Sequence, residues 1–134
     1  MRQFSALSVM LLEDEYLIAL DAEEILTSLG VKHIQIVNSL AAAAEIAESG
    51  DVDVAILDLN INGEMSFPVA EMFRKRGTPI VFATGYELRD CVEPDLGVSL
   101  KKPYTSESLR AALEVALTRS GTQPTPENAI GTQP

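Results

Sequence analysis

Residues 54–60 read VAILDLN, an apolar run of four residues that is followed directly by the carboxylate of Asp58. An uninterrupted apolar run of this length favours a β-strand that is buried on both faces of a parallel sheet. Charged side chains are seldom buried without a reason, so an Asp at the end of such a strand marks a candidate functional residue. The stretch therefore predicts a fold with a buried parallel sheet, and it marks the carboxyl end of this strand as a candidate functional site.

Short apolar runs and longer helical patterns alternate on both sides of this stretch. Further strands are predicted at 7–12, 34–37, 79–83 and 98–100. Helices are predicted at 16–29, 40–48, 65–76 and 87–92. A last helix, capped by Thr105 or Ser106, is predicted to extend to residue 117. Five successive strand–helix units predict an α/β fold of the flavodoxin-like (βα)5 type, a doubly wound parallel five-stranded sheet with helices on both faces. In such sheets, ligands bind beyond the carboxyl ends of the strands.

The composition excludes several classes of function. The 134 residues suit one domain, and the net charge of −10 opposes direct binding to nucleic acid or to anionic membranes. No signal peptide or apolar run of about 20 residues is present, and the single cysteine, Cys91, allows no internal disulfide. We therefore expect a cytoplasmic protein with one domain over residues 1–119. The segment 120–134 repeats GTQP and carries three of the seven prolines, so we expect a disordered tail.

Polar side chains follow four of the predicted strands. Glu13 and Asp14 follow the first strand, Asp58 the third, Thr84 the fourth and Lys102 the fifth. Since the carboxyl ends of parallel strands meet at one edge, we expect these side chains to converge. Three adjacent carboxylates would repel one another unless a hard cation such as Mg²⁺, which prefers oxygen ligands, lay between them.

The predicted metal ligands are Glu13, Asp14, Asp58 and the backbone carbonyl of Asn60. An Asp carboxylate can act as a nucleophile that becomes an aspartyl phosphate. Thr84 can donate a hydrogen bond to a phosphoryl oxygen, and the ammonium group of Lys102 can pair with the same group. The pattern therefore indicates phosphoryl transfer to Asp58.

Four motifs at these positions, LLEDE, ILDLN, FATGY and LKKPY, resemble the signatures of response-regulator receiver domains over residues 5–119. The resemblance implies that a histidine kinase phosphorylates Asp58, that the Glu13–Asp14 pair binds Mg²⁺, and that Thr84 and Lys102 contact the phosphoryl group. FATGY further resembles a subgroup of receivers from alphaproteobacteria, which implies a kinase of the HWE type. The downstream partner would be a protein that binds the face formed by the fourth helix, fifth strand and fifth helix.

Three features depart from the family pattern. Ser99 occupies the position on the fifth strand where a switching Tyr or Phe is usual, and Asn62 replaces a usual Pro after the phosphoacceptor. The segment between Thr84 and Lys102 is short and is interrupted by a proline at position 94. We hypothesise that Tyr86, together with Thr84, replaces the missing aromatic as the switch; the alternative is that its ring only covers apolar surface.

The interpretation is a single-domain response regulator that changes its binding to a partner protein. A phosphate sink for a kinase and a pseudo-receiver that binds partners without phosphate remain alternatives. An Mg²⁺-dependent phosphohydrolase is less favoured, because Asn60 stands where such enzymes usually carry a second Asp. An enzyme is therefore not expected beyond autophosphorylation and slow autodephosphorylation. His33 is interpreted as an exposed loop residue and Cys91 as a structural one.

Overall fold

The structure, a computed structural model, describes residues 4–85 and 96–120. Within them, a central sheet is formed by β1 (Ser8–Leu12), β2 (His33–Val37), β3 (Val54–Asp58), β6 (Ile80–Thr84) and β7 (Val98–Lys101), and a hairpin by β4 (Asn60–Ile61) and β5 (Glu64–Met65). The helices are α1 (Tyr16–Ser28), α2 (Leu40–Ser49), α3 (Phe67–Lys75) and α4 (Ser106–Ser120).

The central sheet has the strand order β2-β1-β3-β6-β7, and every neighbouring pair is parallel. The strand order reverses between β1 and β3, since both β2 and β3 pair with β1. This arrangement confirms the predicted flavodoxin-like fold. It also places the switch point, where ligands bind in open α/β sheets, at the carboxyl ends of β1 and β3.

The core consists of two apolar layers, one on each face of the sheet. Leu11, Ile56 and Val81 point to one face, where α1 and α4 cover them. Their sequence neighbours Leu57 and Phe82 point to the other face, which α2 and α3 cover. Strands that are buried on both faces need apolar side chains at successive positions, and this explains the continuous run in β3.

The helix signals in the sequence correspond closely to the structure. Glycines 30, 50 and 77, the predicted helix stops, follow α1, α2 and α3 with φ angles of 101°, 72° and 78°, which favour glycine. Thr105 caps α4, because its Oγ1 accepts from the Ser108 amide at 3.0 Å and its own amide donates to Ser108 Oγ at 3.0 Å. Ser106 is instead the first helical residue. His33 is exposed as expected but begins β2 and does not lie in a loop.

The third helix was predicted to begin at residue 65, and this boundary is wrong. Met65 lies in the β4–β5 hairpin, which turns at Asn62 and Gly63 with φ angles of 52° and 88°. Positive φ at both residues is what the type I′ turn, a common two-residue connection between antiparallel strands, requires, and Asn-Gly is a preferred sequence for it. The helix therefore begins after the hairpin, at Phe67.

Some predictions concern residues outside the described part of the chain. They are the switch role of Tyr86, the helix at 87–92, the structural role of Cys91 and the disorder of the predicted tail from residue 121 onward. The first residue of that predicted tail, Ser120, is instead the last residue of α4. No helix in the described ranges is both long and apolar enough to cross a membrane.

Candidate functional site

Backbone pairing continues just beyond the sheet and gathers the predicted site residues at its carboxyl edge. The amide of Glu13 donates to Val37 O at 3.0 Å, and the amide of Lys102 donates to Thr84 O at 2.9 Å. Asp58 is the last residue of β3 and lies opposite Ala83 of β6. The structure thus brings Glu13, Asp58, Thr84 and Lys102 to one edge, from four different strands.

Lys102 connects two of these carboxylates directly. Its Nζ lies 3.0 Å from Glu13 Oε1 and 3.1 Å from Asp58 Oδ2. Glu13 is 2% exposed and Asp58 is 8% exposed, so both acids are almost removed from water. Buried carboxylates require a counter-charge, and one ammonium group serves both. When both acids are ionised, their two negative charges exceed the one positive charge of Lys102.

The two acids of the β1–α1 loop are held by backbone amides. Glu13 Oε2 accepts from the Glu15 amide at 3.2 Å, just before α1 begins. Asp14 Oδ2 accepts from the Asn62 amide at 2.9 Å, although the two residues are 48 positions apart. The second bond ties the β4–β5 hairpin to the loop that carries the acidic pair.

Asn62 stands where the family that the motifs resemble usually has a proline, and its contacts in this structure do not allow one. A proline has no amide hydrogen, so it could not donate to Asp14. Its ring also fixes φ near about −65°, whereas Asn62 has a φ of 52°. The loop therefore has a conformation at residue 62 that a proline could not adopt, and in it the hairpin holds Asp14.

We expect Asn62→Pro to lower the free energy of unfolding by about 2–3 kcal/mol, because it removes the Asp14 bond and cannot adopt the turn. Asn62→Gly is the matched control, since glycine keeps the amide and tolerates positive φ; its effect should stay below about 1 kcal/mol. Urea denaturation of both variants measures the difference. Equal stabilities would contradict the importance of this turn.

The acidic cluster has the composition of a site for a hard cation. Glu13, Asp14 and Asp58 each offer a carboxylate oxygen, and these three atoms lie within 4.8 Å of one another. Oxygen-only donors with excess negative charge suit Mg²⁺ better than a softer metal. The residues present therefore fit the predicted ion.

Asn60 lies beside this cluster, and its contacts are with the hairpin and the phosphoacceptor. Its side-chain Oδ1 accepts from the Gly63 amide at 2.9 Å, and its own amide approaches Asp58 Oδ1 at 3.4 Å. The binding of the ion by its backbone carbonyl stays a prediction.

Thr84 and Ser99 differ sharply in their surroundings. Thr84 is fully buried at the end of β6, and its hydroxyl has no hydrogen-bond partner in the described part of the chain. A buried hydroxyl without a partner is rare, and here it could donate to an oxygen that arrives at Asp58. Ser99 pairs with Phe82 in the sheet, and its side chain is exposed on β7.

Ser66 is a site residue that the sequence analysis missed. It is fully buried between the hairpin and α3, and its hydroxyl donates to the backbone carbonyl of Asp58 at 2.8 Å. Its amide donates to Leu59 O at 2.9 Å. Ser66 therefore fixes the backbone of the proposed phosphoacceptor. A Ser before Phe-Pro signals the start of a helix, but not a partner eight residues upstream.

Two pKa values in the site are shifted upward, those of Glu13 and Lys102. Burial raises the pKa of Glu13 to about 7; Lys102 lowers it in part, and the negative charge of Asp58 raises it again. Burial alone would lower the pKa of Lys102, but the carboxylates of Glu13 and Asp58 outweigh burial and raise it. Without a metal ion, the ionised form of Glu13 is therefore disfavoured, whereas Lys102 stays charged.

We expect the metal-free protein to lose stability as the pH rises from about 4.5 to about 7. The folded state keeps a proton on Glu13 in this window while the unfolded state releases it, so the folded state binds more protons and the free energy of unfolding falls with pH. Urea denaturation in EDTA should show a decline about 2 kcal/mol larger than in Glu13→Gln, whose side chain does not titrate. Parallel pH profiles for the two proteins would contradict this assignment.

Comparisons with known proteins identify the family of the chain. The family model described as the response regulator receiver domain matches residues 9–114. The chain is 38% identical to SdrG from Sphingomonas melonis Fr1, whose solution structure superposes with a TM-score of 0.72 over 83% of this chain and 96% of that one. SdrG has also been solved in a BeF3-activated conformation.

Two crystal structures are also similar. A response regulator receiver protein from Sinorhizobium medicae WSM419 is 30% identical, with a TM-score of 0.74 over 86% of this chain and 97% of that one. The receiver domain of the sensor histidine kinase PA1611 from Pseudomonas aeruginosa PAO1 is 22% identical, with a TM-score of 0.72 over 84% of this chain and 98% of that one; it holds a magnesium ion in its active-site cleft. No curated protein sequence matches significantly.

Proposed function

Because the chain belongs to the response-regulator receiver family of two-component signalling, we propose that it accepts a phosphoryl group from a histidine kinase on Asp58. The observation that carries this proposal is the buried cluster in which Lys102 bridges Glu13 and Asp58. A carboxylate that ends a buried strand, next to a cation and two further acids, is placed to react with a phosphoryl group and to have the added charge neutralised.

In the proposed reaction, an oxygen of the Asp58 carboxylate attacks the phosphorus of a kinase phosphohistidine. The new O–P bond forms as the P–N bond breaks, and the electron pair of that bond stays on the histidine nitrogen. Mg²⁺ bound to Glu13, Asp14 and Asp58 would neutralise charge on the transferred group. Lys102 would turn from the carboxylates to a phosphoryl oxygen, and the buried hydroxyl of Thr84 would donate to another.

The phosphoryl group adds about 1.5–2 negative charges at the carboxyl edge of the sheet. We propose that Thr84 and Lys102 rearrange around it and shift an equilibrium between two conformations of the adjoining loops. A partner protein would detect the change on the face that includes β7 and α4. In this proposal the chain is a cytoplasmic switch with Mg²⁺ as its cofactor, and it turns over only its own phosphoryl group.

The competing enzyme interpretation meets an amide, Asn60, at the position where such enzymes usually carry a second acid. A phosphohydrolase that uses Asp58 as its nucleophile needs a nearby acid or base to release the product. Asn60, two residues further on, is an amide whose Oδ1 already accepts from Gly63. This observation favours a phosphoacceptor over an enzyme that turns over free substrates.

Phosphotransfer profiling against purified histidine kinases tests the proposal and identifies the donor. We expect one kinase, of the HWE type if the subgroup resemblance extends to the pathway, to label the chain much faster than the others. A label that persists after transfer would indicate a switch, and a label that is lost at once would indicate a phosphate sink. No transfer from any kinase would contradict the proposal.

A further inference from the structure

The β4–β5 hairpin contacts two of the three acids that are predicted to bind the ion. The amide of Asn62 donates to Asp14 Oδ2 at 2.9 Å, and the amide of Asn60 approaches Asp58 Oδ1 at 3.4 Å. The hairpin also carries the carbonyl of Asn60, the predicted backbone ligand. One short element thus connects the loop after β1 with the end of β3, on the side of the sheet edge where the ion is expected.

The hairpin is itself held at its turn, in its first strand and at its end. The Gly63 amide donates to Asn60 Oδ1 at 2.9 Å across the turn. Ile61 is 2% exposed and packs into the core layer beneath the hairpin. Ser66, just beyond the hairpin, donates its hydroxyl to the carbonyl of Asp58 at 2.8 Å. Because these contacts do not involve an ion, the amides of the hairpin have defined positions before any ion binds.

Asp14 has fewer partners than the other two acids. Lys102 Nζ pairs with Glu13 and Asp58 at 3.0 and 3.1 Å, and a backbone amide donates to the first of these acids as well. In the described part of the chain, Asp14 is held by the Asn62 amide alone, through Oδ2. Its Oδ1 can therefore take a cation. A hydrogen bond to a ligating carboxylate fixes its orientation, and the loss of such a bond typically weakens metal binding by about 10–100-fold.

We propose that Asn62 is a positioning residue, whose backbone amide holds Asp14 Oδ2 so that Asp14 stays beside the other two carboxylates and keeps Oδ1 for Mg²⁺. This inference rests on the Mg²⁺ site of the proposed function. Without the bond, the partly exposed side chain of Asp14 would be free to turn into water, and the ion would have to order it at a cost in affinity. Receivers that carry a proline at this position cannot form the bond, because proline has no amide hydrogen.

Binding of Mg²⁺ to the unphosphorylated protein tests the proposal apart from any reaction. Mg²⁺ is titrated into nitrogen-15-labelled protein, and the shifts of the backbone amide signals give the dissociation constant. Asn62→Pro removes the donating amide and should weaken binding by about tenfold. Asn60→Ala keeps every backbone amide but removes the side-chain oxygen that closes the turn. It should weaken binding by about fivefold, the effect of one hydrogen bond.

Asp53→Ala is the matched control for a general loss of stability. It also removes a bond between a carboxylate and a distant backbone amide, that of Ser8, but at the opposite edge of the sheet. Its affinity for Mg²⁺ should stay within about twofold of the wild type. The proposed bond is observed directly in the Asn62 amide signal, which should move upfield in Asp14→Ala because its charged acceptor is gone.

The inference is overturned if Asn62→Pro binds Mg²⁺ within about twofold of the wild type or, should that variant not fold, if Asn60→Ala does. An equal loss of affinity in Asp53→Ala, or an unmoved Asn62 signal in Asp14→Ala, overturns it too. A wild-type protein that binds no Mg²⁺ would overturn the proposed function as well. A protein that shows the expected affinities but accepts no phosphoryl group would overturn the proposed function alone.

Discussion

Asp58→Asn is expected to abolish phosphorylation of the chain by acetyl phosphate or by a kinase. The amide that replaces the carboxylate is not a nucleophile toward phosphorus, so no O–P bond can form at this position. The effect is the loss of the whole reaction and not a change in its rate. Intact-mass spectrometry measures it as the absence of the added phosphoryl group that the wild-type protein acquires in Mg²⁺.

Asp53→Asn is the matched control for this variant. Asp53 is exposed and lies immediately before β3, at the end opposite to Asp58. Its Oδ2 accepts from the Ser8 amide at 2.8 Å, a bond that the oxygen of an asparagine can keep. The control should gain the phosphoryl group as the wild type does. Phosphorylation of Asp58→Asn at the wild-type level would mean that another residue is the acceptor.

Lys102→Met should have the second-largest effect, because Lys102 neutralises two buried acids at once. At about pH 8 the variant should lose about 2–3 kcal/mol of unfolding free energy, since Glu13 and Asp58 would remain buried without a counter-charge. Phosphorylation should also slow by about a hundredfold, the usual effect of removing one group that stabilises charge in a transition state. Urea denaturation and the rate of phosphorylation by acetyl phosphate measure the two effects.

The loss of stability should shrink as the pH falls. Removing Lys102 removes an influence that lowers the pKa of Glu13, so this carboxyl takes up a proton more readily in the variant and its buried charge disappears. Lys32→Met is the control, because Lys32 is exposed and lies just before β2, at the opposite end of the sheet. A pH-independent loss, or an equal loss in Lys32→Met, would contradict a role for Lys102 in compensating these acids.

The sequence predicts the fold because burial dictates the residue types of the central strands. β3 and β6 are buried at every position, and each reads as an uninterrupted apolar run before its polar end. Parallel strands align their carboxyl ends, so the polar residues that follow Leu12, Leu57 and Ala83 could be assigned to one edge without knowledge of any distance. The same reasoning predicts Lys102, which follows β7.

The β4–β5 hairpin and the hydrogen bonds of individual atoms could not be predicted from the pattern of apolar and polar residues. The Asn-Gly pair at 62–63 is a local signal for a turn, but the apolar pattern from Met65 onward is equally compatible with a longer helix. The bond from Asn62 to Asp14 joins residues 48 positions apart. No spacing rule predicts such a partner, because it depends on how two loops meet after the sheet has formed.

Ser66 was missed for a related reason. A Ser is common at the start of a helix, so this residue departs from no pattern. Its importance lies in the partner of one polar atom, the backbone carbonyl of Asp58. Such information exists only in three dimensions.

The central claim is that the carboxylate of Asp58 is a metal-dependent phosphoacceptor, and locating the modified residue tests it most directly. The wild-type protein would be treated with acetyl phosphate, with Mg²⁺ or with EDTA, and then reduced with borohydride, which converts an aspartyl phosphate to homoserine. Peptide mass spectrometry should find homoserine at position 58 in the Mg²⁺ sample alone. Homoserine at another position, or an equal yield at position 58 in EDTA, would contradict the claim.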